Sequence, residues 1–468
     1  MIWCFCAKMM IWMVGCSMNN KIILLHLPIM NYIQKDFINE EGGYNPSLGI
    51  MALGTYLELN GYEPIVIDMC YERMKVRELI EKIQGIDPLF IGISVYTENF
   101  NQAIKLTQQL KSNIKGIKIA LGGPHPTLQP MECIEKDTVD FVIMREGESI
   151  ILELAEAIRT GERLIKYEDI RGLVFKRGGR SIKNKYKHFI SDLDLLPIIK
   201  RELADAARYG GYINISTSRG CPGRCIYCSA TTLSGASYRV RSEYSIYLEM
   251  LLIKNIWSEK LFKIYIVDDT FTAIPERLNN FMDLIERFDF KINWQCESRI
   301  DVMNELLLER MHKSGCIAVQ YGIESGSQEV LDKLRKGINL DRAIEIIDAT
   351  YKNNIIPCLS FMLGHYCDTK ETMWQTAYLI KQLFEKYKAE IAVSYNTPFP
   401  GTFQYIKSKE LGMNILTNSY EKYTLLDPIV ETKNFTVDDQ REVFYFCSKY
   451  VGHYDAIEKQ MGGWTYVS

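Results

Sequence analysis

A long apolar run is the plainest thing this sequence lacks. No stretch approaches the length that crosses a bilayer. Strong charge of either sign is missing too, with 55 lysines and arginines against 58 aspartates and glutamates, a formal net charge of -3. Nucleic acid and acidic membrane surfaces are therefore not expected partners, and stable membrane insertion is not expected. Nor is there a framework of evenly paired cysteines, since the 13 present are odd in number and scattered. That argues for a cytoplasmic, reducing compartment in which thiols serve as ligands or packing groups. What is there is a chain of 468 residues, 47% hydrophobic and 24% charged, long enough for two or three domains with large cores.

The opening MIWCFCAKMMIWMVGCS is apolar but too short to span a bilayer. Met13-Val14-Gly15-Cys16 faintly resembles a lipoprotein cleavage box. The reading adopted instead is that Met18 starts the natural chain and upstream read-through precedes it. Residues 1–20 are thus set aside as an uncertain N-terminal extension.

From Lys21 the pattern alternates. KIILLHL, EPIVID, LFIGISVY, KIALGG and VDFVIM read as buried strands rich in Ile and Val, with amphipathic segments at 48–60, 75–84, 99–113 and 150–160. Such alternation predicts an α/β domain over residues 21–160 with a doubly wound parallel sheet, whose ligands bind beyond the carboxyl ends of the strands. Those ends carry Ser94, Thr97, Gly122 and Gly123. IRGLVFKRGGRSIKN reads as a hairpin turning at Gly178-Gly179, so residues 161–205 are assigned to hairpin and linker. A second series follows over 206–410, with strands YINIST, FKIYIVD, INWQCES, IAVQYGIES, PCLSFMLG and IAVSYNT. Six consecutive units predict a partial (β/α)6 barrel rather than a closed one. Asp301, Ser327, Asp341 and Thr369 stand where helices should start. Residues 411–468 read as a C-terminal cap; its Tyr420, Tyr423, Phe435 and Trp464 either line a pocket or pack as core.

RGCPGRCIYCSA, residues 219–230, follows the first strand of the second series. Structural zinc normally takes four protein ligands, but no second cysteine pair follows and the next histidine is His312. Disulfides fail on compartment and parity. Three thiolates, Cys221, Cys225 and Cys228, suit a four-iron cluster that leaves one iron without a protein ligand.

The Cys-x3-Cys-x2-Cys spacing, with Tyr227 before the last cysteine, resembles the signature of radical S-adenosylmethionine (SAM) enzymes. The resemblance implies that a [4Fe-4S] cluster binds the amino and carboxylate groups of SAM at its open iron. Reductive cleavage then yields a 5'-deoxyadenosyl radical, with the electron coming from a donor such as flavodoxin or ferredoxin. It also implies roles along the barrel. Tyr227 contacts adenine. Asp268 or Asp269 in VDDTF receives the amino group, unless one merely caps a helix. Arg299 in CESRID meets the carboxylate or makes a structural ion pair. Glu324 and Ser325 in YGIESGS contact ribose and methionine, and Gly364 in FMLGHYCDTKET lets adenine approach. Where many relatives have Pro-Gly, this chain has Tyr366 and Cys367. Cys367 either replaces a turn glycine or returns a hydrogen atom to a substrate radical.

A doubly wound domain ahead of such a barrel resembles the cobalamin-binding domain of one large subgroup, which includes B12-dependent radical methyltransferases and the anaerobic magnesium-protoporphyrin ester cyclase group. Cobalamin is therefore an expected cofactor. Yet Asp68-Met69-Cys70-Tyr71-Glu72-Arg73 lacks the axial histidine of an Asp-x-His-x-x-Gly motif. Subgroup members that lack it either bind cobalamin without it or keep only the fold. His125 in GGPHPT is read as a turn or helix-start residue rather than a cobalt ligand, and Cys70 as packing. The implied reaction is methylation of an unactivated carbon of an unidentified organic or peptide substrate. A B12-independent epimerase or oxidative cyclase is one alternative, and a non-catalytic B12- or SAM-responsive binding protein is another.

Overall fold

In a computed structural model of the chain, the structure describes residues 19–28, 46–72, 74–186, 189–204, 212–257 and 263–451. The N-terminal extension up to residue 18 and Trp464 of the cap lie outside the described residues, as does the side chain of Cys70.

The first sheet has strand order β2-β1-β3-β4-β5-β6-β7. Its strands are β1 (Lys21–His26), β2 (Glu63–Asp68), β3 (Phe90–Ser94), β4 (Ile119–Gly122), β5 (Phe141–Ile143), β6 (Leu173–Arg177) and β7 (Arg180–Lys183). The first five are parallel, and near-continuous apolar runs let both faces bury. Helices α1 (Leu48–Leu59) and α4 (Glu148–Thr160) pack on one face, and α2 (Val76–Ile86) and α3 (Phe100–Asn113) on the other. The hairpin expected at Gly178-Gly179 forms between β6 and β7, and β6 also pairs antiparallel with β5, so that it extends the first sheet. Phe175 and Val174 are wholly buried there, and that burial holds the hairpin to the sheet.

The second region is a six-stranded open parallel sheet of order β15-β14-β13-β12-β11-β8, as expected for a partial barrel. It starts at β8 (Tyr212–Ile215). A small antiparallel pair follows, β9 (Ser218–Arg219) with β10 (Arg239–Val240), and the cysteine loop lies between them. Then come β11 (Lys263–Ile266), β12 (Trp294–Ser298), β13 (Cys316–Glu324), β14 (Ile356–Leu363) and β15 (Glu390–Tyr395). The covering helices are α5 (Glu243–Trp257), α6 (Pro275–Arg287), α7 (Glu305–Lys313), α8 (Leu340–Lys352) and α9 (Lys370–Tyr387). Thr369 and Ser327 stand at N-caps as expected, Thr369 in a capping box. Asp301 and Asp341 do not. Asn304 caps α7, its Oδ1 accepting from Leu307 N, and Asn339 caps α8 through Arg342 N.

The cap forms the hairpin β16 (Asn414–Ile415) and β17 (Val430–Glu431) and helix α10 (Val437–Ser448), which packs on α9. Tyr423 and Phe435 are barrel core. Tyr420 instead reaches the first domain, where its hydroxyl donates to Glu132 Oε2 at 2.8 Å. Next to it, Asn101 Nδ2 donates to Glu421 Oε1 at 2.8 Å.

Candidate active site

The carboxyl ends of the two sheets converge on a cavity of about 490 Å³. Its floor is apolar, built by Leu24, Ile50, Leu53 and Ile151 between the first sheet and helices α1 and α4. Ser94, Gly122 and Gly123 line it as expected. The far wall is Ser218, Arg219, Gly220 and Asp269 from the barrel. Gly123 has φ +99°, and a Cβ there would sit 3.1 Å from Ser94 Oγ and Val95 N, so only glycine closes this turn without strain. Thr97 does not line the cavity. Its hydroxyl sits 3.2 Å from His125 Nδ1. His125 starts a short helix and is wholly buried between Phe100 and Tyr420, with burial pushing its pKa down to about 4. It stands in the first turn of that helix, the turn or helix-start position expected, and packs there between aromatic rings.

Charged side chains tie the cavity rim across the two regions. Arg219, two residues before Cys221, pairs with Glu148, and Arg239 Nη1 donates to Glu146 Oε1 at 2.7 Å. Behind them Glu249, wholly buried, is held between Arg201 and Arg241, which keeps its carboxylate ionised.

The cysteine loop is shaped around its sulfurs. Gly223 N donates to Cys221 Sγ and Ala230 N to Cys228 Sγ, both at 3.4 Å. A Cβ at Gly223 would lie 3.0 Å from Arg299 Nη1, 3.3 Å from Cys221 Sγ and 3.9 Å from Cys225 Sγ. Glycine therefore leaves a cradle that any side chain would fill. Among the described residues no three His, Cys, Asp or Glu side chains gather as around a single ion. The open space beside Gly223, between Cys221 and Cys225, is room that a bridging cluster would need.

Around the loop, each expected residue has a definite place. The two aspartates separate. Asp268 is 1% exposed, accepts from Thr217 N at 2.6 Å and Ser218 N at 3.0 Å, and also binds Thr217 Oγ1. Both its oxygens are spent holding the strand that leads into the cysteines. Asp269 is exposed and faces the cavity. Arg299 gives Nε and Nη2 to the Asp301 carboxylate and Nη2 also to Lys336 O at 2.9 Å, leaving Nη1 toward the cysteines. Glu324 has φ +73° after a β-bulge in β13, a strained backbone of the kind found at functional sites. Ser325 Oγ accepts from Ser327 N at 3.1 Å and lies 3.3 Å from Thr376 Oγ1, which fixes the turn. Gly364 has φ +81°, but its open side is taken: a Cβ would lie 2.0 Å from Gln440 Oε1 of α10. Cys367 does not line the cavity. It packs against Ile226, Val330 and Leu334, and burial pushes its thiol up to about 12.

Lys336 is the residue the sequence reading missed. It is 8% exposed, and its Nζ sits 2.8 Å from Glu324 Oε1 and 3.5 Å from Tyr227 OH. A Cβ on Gly322 would come within 2.8 Å of that Nζ, so the bare strand makes room for the ammonium inside the barrel. Carboxylate and ammonium are thus buried side by side next to the cysteine loop.

Comparisons with known proteins agree with this layout. A family described as B12 binding domain matches residues 35–155, and one described as Radical SAM superfamily matches residues 215–380. The chain is 28% identical over 421 residues to an uncharacterized methyltransferase of Pyrococcus horikoshii, covering 88% of each chain. It is 25% identical over 402 residues to the anaerobic magnesium-protoporphyrin IX monomethyl ester cyclase of Rubrivivax gelatinosus, covering 84% of this chain and 71% of that one. Its fold resembles the radical S-adenosylmethionine methyltransferase TsrM of Kitasatospora setae, solved with cobalamin and a [4Fe-4S] cluster, with a TM-score of 0.71 at 17% identity over 88% of this chain and 83% of that one. No helix among the described residues is long and apolar enough to cross a membrane.

Proposed function

We propose, from the premise that this chain carries a B12-binding domain ahead of a radical SAM domain, that it methylates a carbon of an organic substrate at the expense of SAM. The observation that carries this reading is the cavity, whose walls come from the carboxyl ends of both sheets and whose barrel side runs into the cysteine loop. When bound, the iron–sulfur cluster supplies an electron that cleaves the sulfonium, and cobalamin supplies a methyl carrier.

The chain's own residues do the rest. Cys221, Cys225 and Cys228 would hold the cluster, and the backbone donors to two of the sulfurs would temper their charge. Asp269, not Asp268, takes the amino group of SAM, because Asp268 has no free oxygen. Lys336 takes the carboxylate and Glu324 the ribose, a division supported by the two opposite charges being buried side by side at 2.8 Å. Arg299, paired with Asp301, positions Lys336 through its backbone carbonyl and keeps Nη1 toward the cysteines. Ser325 shapes the turn that presents Glu324. On the other side, Ser94, Gly122 and Gly123 would hold cobalamin above an apolar floor. Cys367 packs against Ile226, Val330 and Leu334 away from the cavity, which supports its reading as a turn residue over hydrogen return.

Anaerobic reconstitution with iron, sulfide, cobalamin and methyl-labelled SAM, offering cell extract as substrate, tests the reading. Expected are 5'-deoxyadenosine, S-adenosylhomocysteine and label in a product. Deoxyadenosine without label transfer and without cobalamin uptake would sink methyl transfer. No deoxyadenosine at all would sink the radical chemistry.

A further inference from the structure

The cysteine loop hangs from a neck of only two residue pairs. In the antiparallel pairing of β9 with β10, Ser218 faces Val240 and Arg219 faces Arg239, and residues 220–238, the three cysteines among them, lie beyond. The neck is narrow, since a Cβ on Gly220 would sit 2.5 Å from Ser237 O. Its second pair sets two arginines directly opposite each other. Residues so opposed send their side chains to one face of the ladder, and like charges there push the strands apart. A two-stranded ladder this short has little of its own to resist that push.

The opposing charge comes from the other domain. Glu146 and Glu148 stand where β5 leads into α4, at the carboxyl edge of the first sheet. Glu146 Oε1 accepts from Arg239 Nη1 at 2.7 Å and lies 3.3 Å from Arg219 Nη1, so a single carboxylate oxygen bridges the opposed pair. Its Oε2 accepts from Ile190 N at 2.7 Å, which fixes the bridge in place. Glu148 Oε1 takes Arg219 from the other side. Among the described residues, both arginines make their ion pairs with these two acids alone. Arg239 also donates from Nη2 to Ser234 O at 2.8 Å, inside the loop, and its guanidinium lies 4.9 Å from the centre of the Phe189 ring. Arg239 is 8% exposed and Glu148 5%, too buried for water to take the place of a lost partner.

We propose that Glu146 and Glu148 are positioning residues for Cys221, Cys225 and Cys228, the first domain supplying the charges that let the barrel close the loop presenting its thiolates. The inference rests on the reading of those thiolates as cluster ligands. Its core is electrostatic: the acids matter because two arginines face each other across the neck, so the need for Glu148 disappears when Arg219 loses its charge.

Hydrogen exchange of the iron-free full chain, followed at residues 217–241, and iron loss from the reconstituted full chain to a chelator test it together. E148Q keeps the shape of the side chain and leaves Arg239 paired with Glu146. Both rates should rise about tenfold in that variant. R219Q/E148Q removes the opposed charge with its partner and should return both rates to within about threefold of wild type. E148D, which keeps the charge on a shorter stem, should recover part of the loss. A packing role for Glu148 would give no rescue by R219Q. Should E148Q fail to fold, E146Q carries the measurement, with R239Q/E146Q as its rescue. Unchanged rates in E148Q, or rates in R219Q/E148Q as fast as in E148Q, overturn the inference while the cluster reading stands. A wild type that takes up no iron overturns the cluster reading, and the exchange rates still decide whether the acids hold the neck.

Discussion

The barrel mouth and the carboxyl edge of the first sheet face one cavity but are built in opposite ways. At the barrel mouth the elements end in charged or polar side chains, buried and engaged: Asp268, Arg299, Glu324, Lys336 and Asn396. The first sheet ends instead in Gly92, Ser94, Gly122 and Gly123 over an apolar floor. One region is suited to a small, charged ligand gripped by side chains. The other is suited to a large ligand admitted by missing side chains. Specificity in the first is electrostatic and in the second steric, so the two should fail under different substitutions.

The sharpest break is Cys225→Ser. It should abolish 5'-deoxyadenosine formation in the reconstituted protein while cobalamin uptake, read by absorbance, persists. Gly122→Leu should do the reverse: its Cβ meets nothing closer than 3.8 Å, so the fold survives while the side chain fills the cavity. Loss of SAM cleavage in that variant would mean that the two regions are not separable. Lys336→Met leaves Glu324 buried without its cation and should cost about 3 kcal/mol of stability with a parallel loss of SAM affinity, which Lys336→Arg recovers in part. Within the aspartate pair, Asp268→Asn should cost roughly 2 kcal/mol in urea denaturation, and Asp269→Asn should leave stability alone and weaken SAM binding. The smallest effect compares the regions by acid. His125 and His365, one in each, have folded pKa values pushed down to about 4. The unfolded chain takes up their protons first, so stability is full above pH 6.5 and falls as pH drops from there toward 4. Each ring contributes a slope of about 1.4 kcal/mol per pH unit. His125→Phe should flatten the slope for the first region only; an unchanged slope in a folded variant would remove His125 from that account.

Much of this was legible in the residues. Parallel strands buried on both faces read as apolar runs, and the cysteine triplet carries its own spacing. What escaped was whatever depends on a partner distant in sequence. Lys336 stands twelve residues beyond Glu324, past a short helix, and no spacing rule announces that its ammonium returns to β13. The hairpin needed the β5 edge to reveal that it extends the sheet. The aspartates were different, because the signal was present. Ile264 and Ile266 are wholly buried, so the period of two along β11 already sends Asp268 to the helix side and Asp269 to the mouth. Similarly, Asn304 and Asn339 were available as caps, and the nearby aspartates drew attention instead.

The contacts of Tyr420 and Glu421 with the first domain also bear on the order of synthesis. Glu132 and Asn101 leave the ribosome 288 and 320 residues ahead of their partners. The first domain therefore folds with that flank unclamped, and the strap that joins it to the barrel closes only once the cap has emerged. Closure over so long a loop is slow against the local folding of either region. Until then the two regions are joined by the chain and not by this strap.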